Sequence, residues 1–310
     1  MTPERETTQL DDARPVPWSR RRPKLAAAAY ILSYLLIAVI GGSLAAVAPS
    51  LAVKVAVVVV SAAAALALSL LLLLSICRFP TRPGAEVAWI FAMMIIFCLA
   101  RPVALTIVAR LLGHPAAGKT LADLFTILPG QELLGNAALI IWAAFLGKLV
   151  SRVVREGKLF LPVALVASIA DIVTVFWGPV KTVTEVAPEV AQTFSASAPV
   201  AAPPEVATPI LAAVGIGDFL FLAVFLAAAL RHSMPAVKTM WAAFAIMLLA
   251  PLTFLLFPAE YVPGLPFIAA AVLWANWRHL KFTREEKRAL AFAGALVAAA
   301  TVGIWTLLRK

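Results

Sequence analysis

Apolar runs of about twenty residues recur along this chain, and nothing else in it limits the possible folds so severely. In lipid every backbone N–H and C=O must find its partner inside the protein, so a run of that length reads as a membrane-spanning helix. Such runs lie at about 25–48, 52–76, 86–111 and 134–154, then at about 159–180, 208–230, 237–257, 262–277 and 289–308. We therefore expect an all-α polytopic membrane protein of about nine transmembrane helices. With 63% of its 310 residues hydrophobic and only 14% charged, the chain has too little polar surface to cover a soluble domain. The formal charge of +10 does not imply a nucleic-acid partner, because the basic residues sit between the apolar runs rather than on one soluble face.

The runs divide the chain. Residues 1–24 form a polar N-terminal tail with the basic cluster Arg20-Arg21-Arg22, and 25–155 hold about four helices. Ala46-Val47-Ala48 resembles a signal cleavage site, but the run before it exceeds the 7–15 residues of a signal core, so it reads as a span. Arg101-Pro102 interrupts the third run, where a buried or snorkelling Arg at a proline kink is expected. Leu121 to Leu128 suggests a re-entrant or interfacial piece. Residues 159–277 form a second helical region whose long connection, 181–207, is rich in Ala, Pro, Val and Ser and reads as a flexible loop, and 289–310 add one more helix.

Loop charge orients the bundle. With the N-terminus cytoplasmic, the same side receives Arg78 and Arg82, then Lys148, Arg152, Arg155 and Lys158, then Arg231 and Lys238, then the basic 278–288 segment. The acidic loop 181–207 then falls outside, as the positive-inside rule prefers.

Three motif classes are weak. Gly113 to Thr120 satisfies the P-loop pattern letter for letter, yet it follows a membrane helix instead of a strand, so no nucleotide is expected to bind it. His114, His232 and His279 all fall near loops with no HExxH, and Cys77 and Cys98 lack paired spacing, so neither metal nor cofactor is expected. Gly42-Ser43 has no partner base for serine chemistry.

The carboxylates at membrane depth are different. Asp218 sits in the apolar run Ala212 to Phe221 with nothing nearby to neutralise it, and Asp171 sits near the middle of the preceding run. A charge at the bilayer centre costs roughly 2.5–3.5 kcal/mol on insertion scales, so a functional role is the default reading. Antiparallel neighbouring helices would bring the two to similar depth. Two carboxyls sharing one apolar site cannot both ionise; together they hold one proton and supply an acid and a base. The ionised member can deprotonate a water attacking a peptide carbonyl while the protonated member hydrogen-bonds the carbonyl oxygen. Gly215 and Gly217 remove side chains beside Asp218. Pro263-Gly264-Leu265, at the start of the eighth run, cannot begin as ordinary helix and is expected to leave backbone groups free for an extended substrate.

These motifs carry a family resemblance. Gly215-Ile-Gly-Asp218 resembles the GxGD motif of the presenilin and signal peptide peptidase family of intramembrane aspartyl proteases. Ala170-Asp-Ile-Val-Thr-Val-Phe-Trp-Gly-Pro-Val180 is similar to the segment around that family's first catalytic Asp, and Pro263-Gly264-Leu265 falls where the family carries Pro-Ala-Leu. The resemblance covers about 160–277 and implies a presenilin-like bundle. It implies Asp171 and Asp218 as the catalytic pair, Gly215, Gly217, Pro263, Gly264 and Leu265 as substrate-positioning residues, transmembrane helices as substrates and the lipid bilayer as surroundings. Ala170 replaces the usual Tyr, Gly264 the usual Ala, and the helix over 289–308 is extra. An outward 181–207 loop matches the orientation of signal peptide peptidase and is opposite to presenilin. Two other classes stay open at this point: a proton- or cation-coupled transporter using the same aspartates, and a non-catalytic membrane scaffold of the same fold. Prepilin peptidases, another GxGD group, carry a Lys soon after the motif, where Phe219, Leu220 and Phe221 stand here.

Overall fold

The computed structural model describes residues 23–114, 131–176, 178, 182–183, 186–197, 213–249, 263–280, 282–288 and 292. Within them the chain is helical apart from one short ribbon, and five helices are long and apolar enough to cross a membrane. Helices α1 (Pro23–Val47) and α2 (Leu51–Arg78) form an adjacent pair. Ser50 caps α2, its hydroxyl accepting the Val53 amide at 3.4 Å. The third apolar run, expected as a single kinked helix, is two helices, α3 (Pro83–Ala100) and α4 (Pro102–Leu111). Arg101 between them is extended (φ −122°, ψ 98°), because the residue before a proline is pushed out of the helical region.

Next come α5 (Gln131–Val150), prolonged by a 3-10 turn over Ser151–Val153, and α6 (Phe160–Phe176), introduced by a 3-10 turn over Gly157–Leu159. A short helix α7 (Pro188–Thr193) leads to strand β1 (Ser195–Ser197), which pairs antiparallel with β2 (Ala213–Gly215). The chain then forms α8 (Ile216–Arg231), α9 (Ala236–Leu249) and α10 (Leu265–Asn276).

Helix α8 is the centre. Leu222 to Ala229 are all buried, and a helix hydrophobic and covered on every side belongs inside a bundle. Helices α2, α5, α9 and α10 surround it. A close approach lies at Gly147 of α5, where an added Cβ would lie 2.5 Å from Ala223 Cβ and 2.6 Å from the Leu220 carbonyl oxygen. Small residues let membrane helices bring their backbones together, which raises the van der Waals contact that holds them. Helix α3 lies against α5, and the outer faces of α1 and α3 expose Leu32, Leu36, Val39, Phe91 and Ile95, as lipid-facing surfaces do.

One end of the bundle is tied by charge. Glu86 is fully buried; Arg152 Nη2 and the Thr81 hydroxyl donate to its Oε1 at 2.9 and 2.6 Å, and the Lys148 ammonium lies 3.5 Å away. Lys148 also donates to the Phe79 carbonyl and, at 2.7 Å, to Thr81 Oγ1. Arg231 donates to the Ser151 carbonyl at 2.7 Å, and Lys158 pairs with Glu286 at 2.7 Å. These bonds gather the segments around 79–86, 148–158, 231 and 286 at the end where the basic residues of the sequence collect.

Three further expectations change. Among the described residues of the sixth run, Ala213–Gly215 are strand β2 and the helix starts at Ile216, and those of the eighth are helical from Leu265, since hydropathy cannot separate a strand or a proline-broken entry from a helix. The 181–207 connection, read as flexible loop, contains α7 and β1. A helical stretch precedes the final run: Thr283 and Glu286 form a capping box, the Thr283 amide donating to Glu286 Oε2 at 2.7 Å and the Glu286 amide to Thr283 Oγ1 at 3.2 Å, which opens the stretch over 284–288. The tail 1–22, the segment 121–128, Lys119 and nearly all of 289–310 lie outside the described residues.

Candidate active site

Each aspartate is held by a different device. On α6 the buried residues Phe160, Ala164, Ala167 and Val175 recur at intervals of three, four and eight, and Asp171 falls on the same stripe between Ala167 and Val175. Asp171 therefore belongs to the face that meets the rest of the bundle, whereas Ala170 beside it is exposed. Asp218 is the third residue of α8, not a mid-helix residue as the length of its apolar run suggests. The displacement comes from the ribbon. Ser195 pairs with Gly215 and Ser197 with Ala213, and the Ile216 amide donates to the Phe194 carbonyl at 3.1 Å, so the chain is strand until the residue before the helix. Phe194 in turn packs its ring on Phe97 of α3 at 5.5 Å. The ribbon thus pins the N-terminus of α8, whose first-turn amides have no partner within the helix and favour a carboxylate nearby.

Helical rise explains why the two meet. Asp171 lies eleven residues beyond Phe160, about 17 Å along the axis, and Asp218 thirteen before Arg231, about 20 Å. Leu265 lies eleven before Asn276, again about 17 Å. All three helices have their other ends at the basic end of the bundle, so these residues share a depth to within one turn.

The meeting point is a single stretch of backbone at the start of α10. Asp171 Oδ2 accepts the Leu265 amide at 2.9 Å. Asp218 presses on the preceding residue: a Cβ added to Gly264 would lie 2.6 Å from Asp218 Oδ1 and 3.0 Å from its Cγ. Helices α6 and α8 touch near the basic end through Phe160 and Phe225, 5.6 Å between ring centroids, and α10 packs against both. Both carboxyls thus meet the same turn of a third helix, α10. Among the described residues no ion pair reaches either carboxyl.

The glycines change roles. Gly264 is the one that the site requires to lack a side chain. A Cβ on Gly215 would meet only Asp218 Oδ2, at an ordinary 3.6 Å, and one on Gly217 would meet nothing within 4 Å. The expectation of free backbone at Pro263-Gly264-Leu265 is also corrected. The Leu265 amide is taken by Asp171, and the Gly264 carbonyl accepts the Phe267 and Ile268 amides at 3.2 Å, because the first turn of α10 needs it.

No family model, curated protein or solved structure matches this chain. The chemistry of the site therefore rests on its own geometry.

A second polar cluster went unread in the sequence. The Arg101 guanidinium donates to Asn136 Oδ1 at 2.6 Å, and Asn136 Nδ2 donates to the Tyr34 hydroxyl at 2.9 Å, joining α1, α5 and the α3–α4 junction. Asn136 is fully buried in an apolar helix. The signal was available, since a polar residue within an apolar run is expected to bond across helices.

Proposed function

We propose that this protein is an intramembrane aspartyl protease that hydrolyses peptide bonds within transmembrane segments, with Asp171 and Asp218 as the catalytic pair. The observation that carries the reading is the convergence of both carboxyls on the Gly264-Leu265 backbone, at one depth and without a cationic partner among the described residues. Carboxylates kept for packing are normally neutralised by a cation, as Glu86 is in this same molecule. Two carboxyls held together share one proton. The ionised member takes a proton from water as the water oxygen bonds to the scissile carbonyl carbon, and the protonated member donates to the carbonyl oxygen. Collapse of the tetrahedral adduct breaks the C–N bond, with a proton passed to the leaving nitrogen.

The ribbon supports a mode of substrate entry. A transmembrane helix must unwind before its peptide carbonyl is reachable, and an extended segment added at a strand edge keeps its backbone hydrogen-bonded while it does so. Strand β2 ends one residue before the helix that carries Asp218. Pro263, Gly264 and Leu265 act here by fixing the carboxyls, with Gly215 and Gly217 leaving space beside Asp218.

The finer architecture belongs to the same proposal: a presenilin-like bundle of about nine spans, N-terminus cytoplasmic and 181–207 outside. A reporter fused within 181–207 that proved cytoplasmic would reverse the orientation. The decisive experiment reconstitutes the full chain in lipid with a helical membrane peptide and compares wild type with Asp218→Ala, with and without an aspartyl-protease transition-state analogue. Cleavage by wild type alone, blocked by the analogue, is expected; equal cleavage by both proteins removes the protease reading.

A further inference from the structure

We propose that the basic end of the bundle holds a selective site for an anionic phospholipid, in the groove between the start of α6 and the end of α10. The groove is open to the surface, offers about 650 Å³ and is lined by Leu161 of α6 and by Leu273, Trp274, Trp277, Leu280 and Phe282. Its walls are mostly apolar, suited to an acyl chain. Its mouth is not. Trp274 and Trp277 stay 64% and 62% exposed, and indoles left open in this way on a membrane protein belong at headgroup level.

Each indole carries a cation. Lys238 Nζ lies 4.8 Å from the Trp274 ring centre, and Arg278 Cζ lies 5.7 Å from that of Trp277. Neither cation has an ion-pair partner among the described residues. This sets them apart from Lys148 and Arg152 at the same end, which Glu86 neutralises. On the α6 side the Lys158–Glu286 pair ties the 284–288 stretch, whose exposed charges are Arg284, Lys287 and Arg288 against the single Glu285, close to the groove-lining Leu161, three residues beyond Lys158.

Charge complementarity selects the occupant. An apolar groove whose mouth bears unpaired cations matches a lipid with an acyl chain below and a net negative phosphate ester above. A zwitterionic lipid would bring its own ammonium to the same cations and gain less.

The test uses the intrinsic probes in the groove. The full-length protein is reconstituted in phosphatidylcholine vesicles containing a minor fraction of brominated phosphatidylglycerol or, separately, brominated phosphatidylcholine, and tryptophan quenching is titrated. The anionic lipid is expected to quench at a lower mole fraction, by about fivefold for each basic side chain engaged. The excess should disappear in Trp274→Phe/Trp277→Phe, fall about fivefold in Arg278→Gln and be retained in Arg278→Lys, with circular dichroism verifying that each variant is folded. Equal quenching by the two lipids overturns the proposal. So does an anionic preference that persists in the double tryptophan variant, which would locate the lipid elsewhere. None of these residues belongs to the aspartate site, so the outcome is independent of the protease reading.

Discussion

The two ends of α8 handle charge in opposite ways. Near Arg231 the bundle buries Glu86 completely and surrounds it with Arg152, Lys148 and the Thr81 hydroxyl, so that the buried carboxylate is neutralised. Near Asp218 it brings two acids to one stretch of backbone and gives them amides for company. Ion pairing offsets part of the desolvation that burial costs, and an arrangement lacking it must be supported by the rest of the fold. The first end is therefore built for stability. The second leaves two acids without a cation among the described residues, the arrangement that the proposed acid–base chemistry would use.

Substitutions can break that contrast. The largest effect is expected from Asp171→Asn or Asp218→Asn. Peptide cleavage should fall by about 10²- to 10⁴-fold while the melting temperature stays level or rises, since an unpaired acid is replaced by a neutral amide. A large drop in melting temperature would mean that the aspartates are structural. Glu86→Gln should do the reverse. It strands Lys148 and Arg152 without their acid, costing about 3 kcal/mol in denaturant unfolding, while activity per folded molecule is preserved.

Gly264→Ala sharpens the comparison within the site. Its methyl group meets the Asp218 carboxyl at less than contact distance, so the side chain must turn aside. Cleavage is expected to drop about ten- to hundredfold with unchanged stability, whereas Gly217→Ala, which meets nothing within 4 Å, should leave the carboxyl in position. Equal losses in the two variants would mean that glycine flexibility, not space, is what the site uses.

The smallest effect is at the surface. The Lys158 ammonium hydrogen-bonded to Glu286 holds that carboxyl below the usual carboxylate range. A lowered folded-state value means that the pair stabilises the protein above the unfolded-state value and loses this as pH falls through the folded one. Both groups are solvent-exposed, so Glu286→Gln should barely move the melting temperature at neutral pH, and the difference from wild type should vanish in acid.

Much of this was legible in the sequence, for identifiable reasons. Long apolar runs leave few structural options in lipid, so α1, α2, α5 and α6 lie where hydropathy puts them. Asp171 and Asp218 stood out because a carboxylate in such a run is costly. What hydropathy hides is conformation inside an apolar stretch: β2 is as apolar as the helix that follows it, and only its pairing with β1 makes it a strand. Tertiary distances are hidden as well. Gly215, Gly217 and Gly264 look equivalent in sequence, and only the position of the Asp218 carboxyl separates them. Glu86 reads as an ordinary first-turn acid of α3 until Arg152, 66 residues away, is seen to reach it.

The two aspartates ride on helices of different standing. Asp218 belongs to α8, which is wedged against α5 where Gly147 lets the backbones touch. Asp171 belongs to α6, whose Leu165 and Val166 are exposed. One carboxyl thus rides on a helix enclosed by the bundle, the other on a helix with exposed residues on one side. In the proposed protease, membrane thickness would then act on the gap between the acids. Vesicles of increasing acyl length, which shift helix tilt by hydrophobic mismatch, should change the turnover rate through the gap between the acids, in a protein whose core has not moved.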